Sequence, residues 1–468
     1  MQRSMYITRN RLLSLSRLSG ILLLLSCILS ACVYGGLSAP KEQQSLQAEK
    51  GHLQLYDKAG RLICLIGNVQ QQQDCLKQNQ DSADFITYAL QELVNVVQMK
   101  PSALLDSGLI VTTTLDINLN KQAIQHARSY IKKIKDSHNV TNAAIVILDP
   151  HDSSIRTFLK NIDSSSDANY DVVTQAKRQS GSTFRPLVYA AAFDQGMSPG
   201  EVVNDSPIAL GSPPYSPVNY DHKYHGIVSY RSALQNNYNI PAVKLLDKVG
   251  IDPFMKKMSA LGIKIPALDR GYSLALGTTE LPLLDMTGAY GTMANGGMYV
   301  RPHAIAKVVH ANGSVLYEAT NQGTPAMRPE TAFMMTDVLS DNQARSSEFG
   351  LCSPLLLYTA DKDQCEAGKP GIVYPAAAKS SYVNTFRDSL TIGYTSDFLT
   401  GVWVGNNDYA PMVNITGVDG AAVIWHDTML LAEQGRPVKQ FPGPPGDLLK
   451  KTISYPGLTT TDWYTTKQ

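Results

Sequence analysis

Hydrophobic and polar residues recur with two different periods along this chain, and each period predicts an element. From Phe85 to Val97 the apolar positions Phe85, Ile86, Ala89, Leu90, Leu93, Val94 and Val97 fall at helical spacing, which predicts an amphipathic helix with one face on a core. The character then changes. Gly108 to Leu115 is β-branched and reads as a strand. Asp116 is placed to cap the next helix, whose apolar face would be Leu119, Ala123, Ile124, Ala127, Ile131 and Ile134. Ala143 to Leu148 is a short apolar run that predicts a buried strand. Asp149-Pro150-His151-Asp152 supplies a turn and Ser154 to Leu159 a returning strand. Near the other end, Ser389 to Tyr394 and Leu399 to Val404 repeat this grammar around Thr395-Ser396-Asp397, and a helix follows over Ala421 to Ala432. The span between, residues 180–345, is mostly helical in pattern, with loops rich in Gly, Pro and Tyr. Strands at both ends with helices between predict an α+β domain, an antiparallel sheet flanked by helices and closed by distant segments.

The N-terminus follows neither period. Arg3, Arg9, Arg11 and Arg17 form a basic leader without an acidic residue, and the apolar run from Ile21 to Leu29 is broken only by Ser26 and Cys27. The run is short of the roughly 20 residues a membrane-spanning helix needs and fits the apolar part of a secretory signal. It ends in Leu29-Ser30-Ala31-Cys32, and the segment resembles a bacterial lipoprotein signal in which Cys32 becomes the lipidated first residue. That predicts removal of residues 1–31 and attachment to the membrane through lipid at Cys32, with the rest of the chain in the extracytoplasmic part of the cell envelope. One acyl chain holds weakly and two or more hold stably. Residues 32–104 read as a tether with a small N-terminal region, and residues 436–468, Pro/Gly-rich and then polar, as a tail.

Composition narrows the choice. With 468 residues, 43 % of them hydrophobic, the chain has enough apolar material for one large domain or two ordinary ones. A formal net charge of +1 gives no electrostatic reason to expect a nucleic-acid partner. Beyond Cys27 and Cys32, the cysteines Cys64, Cys75, Cys352 and Cys365 form two close pairs on polar stretches. Outside the cytoplasm local disulfides 64–75 and 352–365 would persist. Four cysteines allow three connectivities, and free thiols are the alternative. With no Cys-x-x-Cys or clustered Cys/His spacing, no metal or other cofactor is expected. His222 and His225 lie in a Tyr/Asp-rich loop and are expected to be solvated.

The chemistry concentrates at Arg178-Gln179-Ser180-Gly181-Ser182-Thr183-Phe184-Arg185-Pro186, which opens an Ala-rich helix that stops at Gly196. A serine on a first helical turn has its hydroxyl near the partial positive end. A basic residue three positions on shares its face, the pairing a serine nucleophile needs if that residue can take its proton. The stretch resembles the Ser-x-x-Lys region of penicillin-binding proteins, the D,D-transpeptidases of peptidoglycan synthesis. Further segments match in the same order: Asn219-Tyr220-Asp221, Tyr224-His225-Gly226, Asn239 to Leu245, Leu274-Ala275-Leu276-Gly277-Thr278-Thr279-Glu280, Ala294-Asn295-Gly296-Gly297 and Gly401 to Asn406. The likeness covers roughly residues 105–445 and is nearest to the bifunctional class A branch. The Glu-Asp-x-x-Phe-x-x-His signature of that branch's glycosyltransferase does not occur in this sequence. The resemblance implies the penicillin-binding-protein/β-lactamase-like fold over residues 105–435. It also implies a peptidoglycan stem peptide or a β-lactam as ligand, with a separate glycosyltransferase as a possible partner.

Each of the three motifs that define such an active site departs from its pattern here. Ser182 stands as nucleophile, but Arg185 replaces the lysine, and arginine stays protonated in proteins. Loss of one general-base proton transfer costs about 10²–10⁴-fold in rate. The second motif, Ser-x-Asn, reads Asn237-Tyr238-Asn239, which keeps the asparagine and loses the hydroxyl. The third, Lys-Thr/Ser-Gly, reads Lys379-Ser380-Ser381, so a side chain stands where glycine lets substrate backbone approach. Two changes remove proton handling and one narrows the groove, a pattern expected of a fold kept for binding with weak or absent acyl transfer. The alternative is a working D,D-transpeptidase or carboxypeptidase. In it Ser182 attacks, Lys379 substitutes as base, and Lys379, Ser380 and Asn239 position substrate beside an oxyanion hole of backbone N–H groups. A β-lactam hydrolase is a third reading, for which the sequence shows no evident glutamate placed to activate water.

Overall fold

The computed structural model describes residues 51–162, 170–382, 386–416 and 418–466. The signal-like segment, Cys32 and the first part of the expected tether lie outside these residues. Strands β1 (Leu53–Tyr56) and β2 (Leu62–Ile66) come first, within the stretch whose sequence suggests a tether. Asp57 makes the turn between them, its carboxylate accepting from the amides of Ala59 and Arg61 at 2.9 and 2.8 Å. A disulfide joins Cys64 of β2 to Cys75 in the next helix. Helix α1 (Ala83–Val97) buries Phe85, Ile86, Ala89, Leu90 and Leu93 of the face its periodicity predicts. Strand β3 (Ile110–Thr113) leads into α2 (Ile117–His138), where Asp116 caps the first turn by accepting from the Leu119 amide at 3.1 Å. The predicted hairpin follows as β4 (Asn142–Leu148) and β5 (Ile155–Leu159).

Helices α3 (Arg185–Asp194), α4 (Tyr230–Gln235), α5 (Asn239–Val249) and α6 (Leu283–Ala294) occupy the middle of the chain. Strands β6 (Ile305–Val309) and β7 (Val315–Glu318) and helix α7 (Pro329–Ser340) come next. The chain then adds β8 (Ala377–Tyr382), β9 (Asp388–Tyr394), β10 (Leu399–Gly405) and α8 (Ala421–Glu433). All described elements belong to one compact unit.

The central sheet has the order β8-β9-β10-β4-β5 and is antiparallel throughout, so β4 near the start of the domain pairs with β10 near its end. This is the α+β architecture expected from strands at both ends of the domain. Strand β4 reads as an unbroken apolar run because both of its faces are covered. Ala144, Val146 and Leu148 join one core with Phe184, Leu187 and Met286. Ala143, Ile145 and Ile147 join a second with Ala123 and Ile124 of α2 and Trp425 of α8. The alternation is the two-residue period of a strand. A second sheet has the order β7-β6-β3-β1-β2, with β1 parallel to β3.

One further segment goes beyond the sequence reading. Residues 448–465 form a hairpin, β11 (Leu448–Tyr455) with β12 (Leu458–Thr465), where the composition suggests a tail. Its buried positions Thr460, Asp462 and Tyr464 alternate with outward ones. Their polarity hides the strand period. Arg231 of α4 holds the hairpin through two bonds of 2.6 and 2.7 Å to Asp462, and it also meets Asp337 and Asp341. A second disulfide, Cys352–Cys365, closes a loop before β8.

Candidate active site

The sequence candidates meet where the start of α3, the turn before α5 and strand β8 converge. Ser182 lies in a single 3-10 turn, Gly181–Phe184, that runs directly into α3. Hydrogen bonds to its main chain fix this turn. The Gly181 amide donates to the Gly277 carbonyl at 3.0 Å, the Thr183 hydroxyl to the Ser180 carbonyl at 2.5 Å, and the Tyr290 hydroxyl to the Thr183 carbonyl at 2.6 Å. Gly277 has φ +69°, and a Cβ there would sit 2.0 Å from the Gly181 carbonyl oxygen, so this approach requires glycine. Arg178 is buried at the start of the motif, its guanidinium 3.9 Å from the ring centre of Tyr409 and 4.8 Å from that of Trp403. Ser182 itself is half-buried and lines a cleft of about 170 Å³, small beside the roughly 300–1,000 Å³ of ordinary ligand pockets. Its hydroxyl makes no hydrogen bond among the described residues.

Two cations stand near it, and both are held by asparagines. Arg185, 5 % exposed, is the first residue of α3, and its Nη2 donates to Asn239 Oδ1. Asn239 opens α5, with its Nδ2 donating to the Val218 carbonyl at 2.6 Å. Asn237 has φ +59°, in the left-handed region that asparagine tolerates. Its Oδ1 accepts from Lys379 Nζ at 2.6 Å, and Lys379 also donates to the Ser380 carbonyl at 3.1 Å. Lys379 and Ser381 share one face of β8 by the strand period. Ser381 Oγ donates to the Ser180 carbonyl at 3.1 Å, bridging β8 to the nucleophile turn. The hydroxyl of Ser380 is buried and finds no partner among the described residues.

The family model for the penicillin binding protein transpeptidase domain matches residues 143–397, from β4 to the end of β9 and just beyond. The chain belongs to this family. It is 30 % identical over 369 residues to penicillin-binding protein 1A of Streptococcus oralis, covering 74 % of this chain and 56 % of that protein. To penicillin-binding protein 1A of Pseudomonas aeruginosa it is 28 % identical over 359 residues, covering 65 % of this chain and 42 % of that protein. The chain thus spans only about half, or less, of these curated relatives. Two solved structures share the fold. Penicillin-binding protein 1A from Haemophilus influenzae superposes with a TM-score of 0.65 at 18 % identity, over 81 % of this chain and 76 % of that one. The PonA1 protein from Mycobacterium tuberculosis in complex with penicillin V superposes with a TM-score of 0.61 at 24 % identity, over 79 % and 96 %.

Within this transpeptidase domain the electrostatics follow from burial. Lys379 is 2 % exposed, and burial pushes its ammonium well below the usual lysine range. The guanidiniums of Arg185 and Arg345 push the same way, and Glu348 opposes them. Arg345 lies beneath the strand, donating to the carbonyls of Leu339, Ala378 and Leu355 at 2.9 to 3.3 Å, and burial lowers it to about 10.

Several residues of the transpeptidase cleft escape sequence reasoning. Glu348 sits on a short helix, Ser346–Phe349, and lines the cleft with Ser182. Its carboxyl is raised by burial, an effect that Lys379 partly offsets. The sequence does not single out this glutamate, because position 348 lies outside every motif. His225 also lines the cleft and is not simply solvated: its Nδ1 lies 2.7 Å from Asp205 and its Nε2 3.1 Å from Asp221. The signal available was that Asn219-Tyr220-Asp221 and Tyr224-His225-Gly226 both fall in matched family segments. Their partner Asp205 is 20 residues from His225 and cannot be inferred from spacing.

Proposed function

We propose that this chain is a penicillin- and stem-peptide-binding domain of the bacterial cell envelope in which acyl transfer through Ser182 is weak or absent. The observation that carries the reading is the commitment of both cations. Arg185 is bound to Asn239, Lys379 to Asn237 and the Ser380 carbonyl, and the Ser182 hydroxyl bonds to neither. A protonated guanidinium in place of the motif lysine stabilises charge but does not take the serine's proton. Ser381 supports the same reading, since its side chain closes the gap between β8 and Ser180. In the proposed arrangement Lys379 and Ser380 meet the peptide's carboxylate, Asn239 its backbone, and Ser381 limits how closely it lies along β8. Lipid at Cys32 would keep the domain near nascent peptidoglycan, where a separate glycosyltransferase would be a fitting partner.

The test is incubation of the purified protein with a fluorescent penicillin, with Ser182→Ala as control. Slow or absent Ser182-dependent labelling, with reversible binding of a D-Ala-D-Ala peptide, is expected. Rapid labelling would sink the proposal. One observation favours the alternative of an active D,D-transpeptidase: the lowered pKa of Lys379 gives it a neutral amine at a lower pH than an ordinary lysine, so it could serve as base. In that case labelling rises with pH as the neutral fraction grows, and Lys379→Met abolishes it.

A further inference from the structure

We propose that His225 is a positioning residue of the cleft, one that holds the Asn237–Asn239 wall in place; as a statement about ligand binding this rests on the function proposed above. The ring is held on three sides. Its Nδ1 and its backbone amide both meet Asp205 Oδ2, at 2.7 and 2.9 Å, and its Nε2 meets Asp221 Oδ2 at 3.1 Å. One face stacks on Tyr238, with ring centres 3.9 Å apart and planes 10° from parallel. Tyr238 is the residue between the two asparagines that hold the cations. A second route reaches the same place. Asp205, fully buried, also accepts from Asn219 Nδ2 at 2.7 Å. Asn219 Oδ1 accepts from the amides of Asn239 and Ile240 at 2.8 and 3.3 Å, and so caps the first turn of α5.

Carboxylates only accept, so both ring bonds are complete only when both ring nitrogens carry hydrogen. A neutral ring keeps one bond and presents a lone pair to the other carboxylate. The charged groups around the ring are Asp205 at the end of the Val202–Asp205 strand, Asp221 on its own loop, and Glu348 from the short helix. Lys223 acts on Asp221 from the same loop. The ring thus ties the loop that carries Asn219 to both Asp205 and Asp221, and loss of its bonds loosens the cap on α5.

Two arms test this on the purified protein. Hydrogen exchange, followed by mass spectrometry over residues 237–241, reads the wall without any ligand. Equilibrium binding of a synthetic peptide ending in D-Ala-D-Ala reads its consequence. His225→Phe keeps the stack and removes both ring bonds. It is expected to speed exchange at Asn239 and Ile240 and weaken peptide binding, each about tenfold. His225→Gln, whose amide can still donate to Asp205, should recover part of the protection and of the affinity. If His225→Phe does not fold, Asp221→Asn, which alters only the half-exposed partner and leaves the Asp205 bond, should speed exchange at the same amides by a smaller factor. A variant with unchanged exchange, or a His225→Gln protein that recovers nothing, overturns the proposal. Absence of any peptide binding would count against the function reading, and the exchange arm would still decide the role of His225.

Discussion

The turn that carries Ser182 and the turn that carries Asn237 and Asn239 face one cleft, and they are built in different ways. The first is held by the backbone and the core: a Gly181–Gly277 approach, hydroxyls of Thr183 and Tyr290 on its carbonyls, and Phe184 sealed in the interior. The second is held by side chains, through the amides of Asn219, Asn237 and Asn239, the Asp205 carboxylate, the His225 ring and the cations of Arg185 and Lys379. Backbone and core contacts do not depend on which residue supplies proton transfer. Side-chain contacts do, because a new residue at one position recruits new partners at another. So the nucleophile turn is fixed without the two cations, which are held by asparagines instead. In the function proposed above, the departures at positions 185, 237 and 381 alter chemistry and groove width without touching the bonds that hold that turn.

The largest test of that contrast is Arg185→Lys. If the nucleophile turn is complete and only the base is missing, a lysine there should raise the rate of Ser182 acylation by penicillin about 10²-fold or more. Time-resolved labelling measures it. No gain would mean that the turn itself is unsuitable, or that Ser381 closes the groove, and the contrast would fail. Next comes Gly277→Ala, which strikes the backbone-built side. A Cβ 2.0 Å from a carbonyl, on a residue at φ +69°, should cost about 2–4 kcal/mol in stability. Urea unfolding reads this, and a loss below about 1 kcal/mol would show that the turn can shift.

The two sides also differ in how much of them the sequence discloses. The backbone-built side was legible: Ser182 and the strands β4, β9 and β10 come from local patterns, and the lead-in and the Leu274–Glu280 stretch from the family resemblance. Strand β4 is apolar along its length because two cores cover it, and that run is visible without a fold. The side-chain-built wall was legible only at its motif positions. Glu348, Arg345 and Asp205 reach the cleft or its underside from segments with no motif, and their roles depend on a fold that brings residues 205, 225 and 348 together. The hairpin 448–465 was missed for a related reason. Its inward residues include Asp462 and Thr460, whose burial is made tolerable by Arg231 and by the Gly200 carbonyl, partners far away in sequence.

Arg231→Ala, third in expected size, sharpens the contrast on the charged side. Arg231 lies on α4, whose C-terminal end leads directly to Asn236 and Asn237. Its loss leaves Asp462, 3 % exposed, without a cation. Breaking a buried pair costs about 3–5 kcal/mol, but Asp337 and Asp341 are partly solvated, so about 2 kcal/mol is expected here. Peptide binding should weaken with it, because the helix that leads into the asparagine turn loses its clamp. Unchanged binding at reduced stability would separate the hairpin from the site.

The smallest effect is expected from Ser381→Gly, and it bears on both sides at once. The Ser381 hydroxyl gives one hydrogen bond to the Ser180 carbonyl, so it is a side-chain tie laid across to the backbone-built turn. Removing it forfeits about 1 kcal/mol for the bond, and glycine in a strand interior adds a few tenths more. Against that, the gap between β8 and the turn opens, and the substrate backbone can lie along the strand. Stability should therefore fall slightly while peptide affinity rises. Combined with Arg185→Lys the outcome discriminates further. If the groove and the base are independent obstacles, the two free-energy changes in acylation add. A gain from the pair well above the sum would mean that the tie at Ser381 also holds the Ser182 turn away from its attacking position, and the first side would then be less independent of its side chains than its main-chain bonds imply.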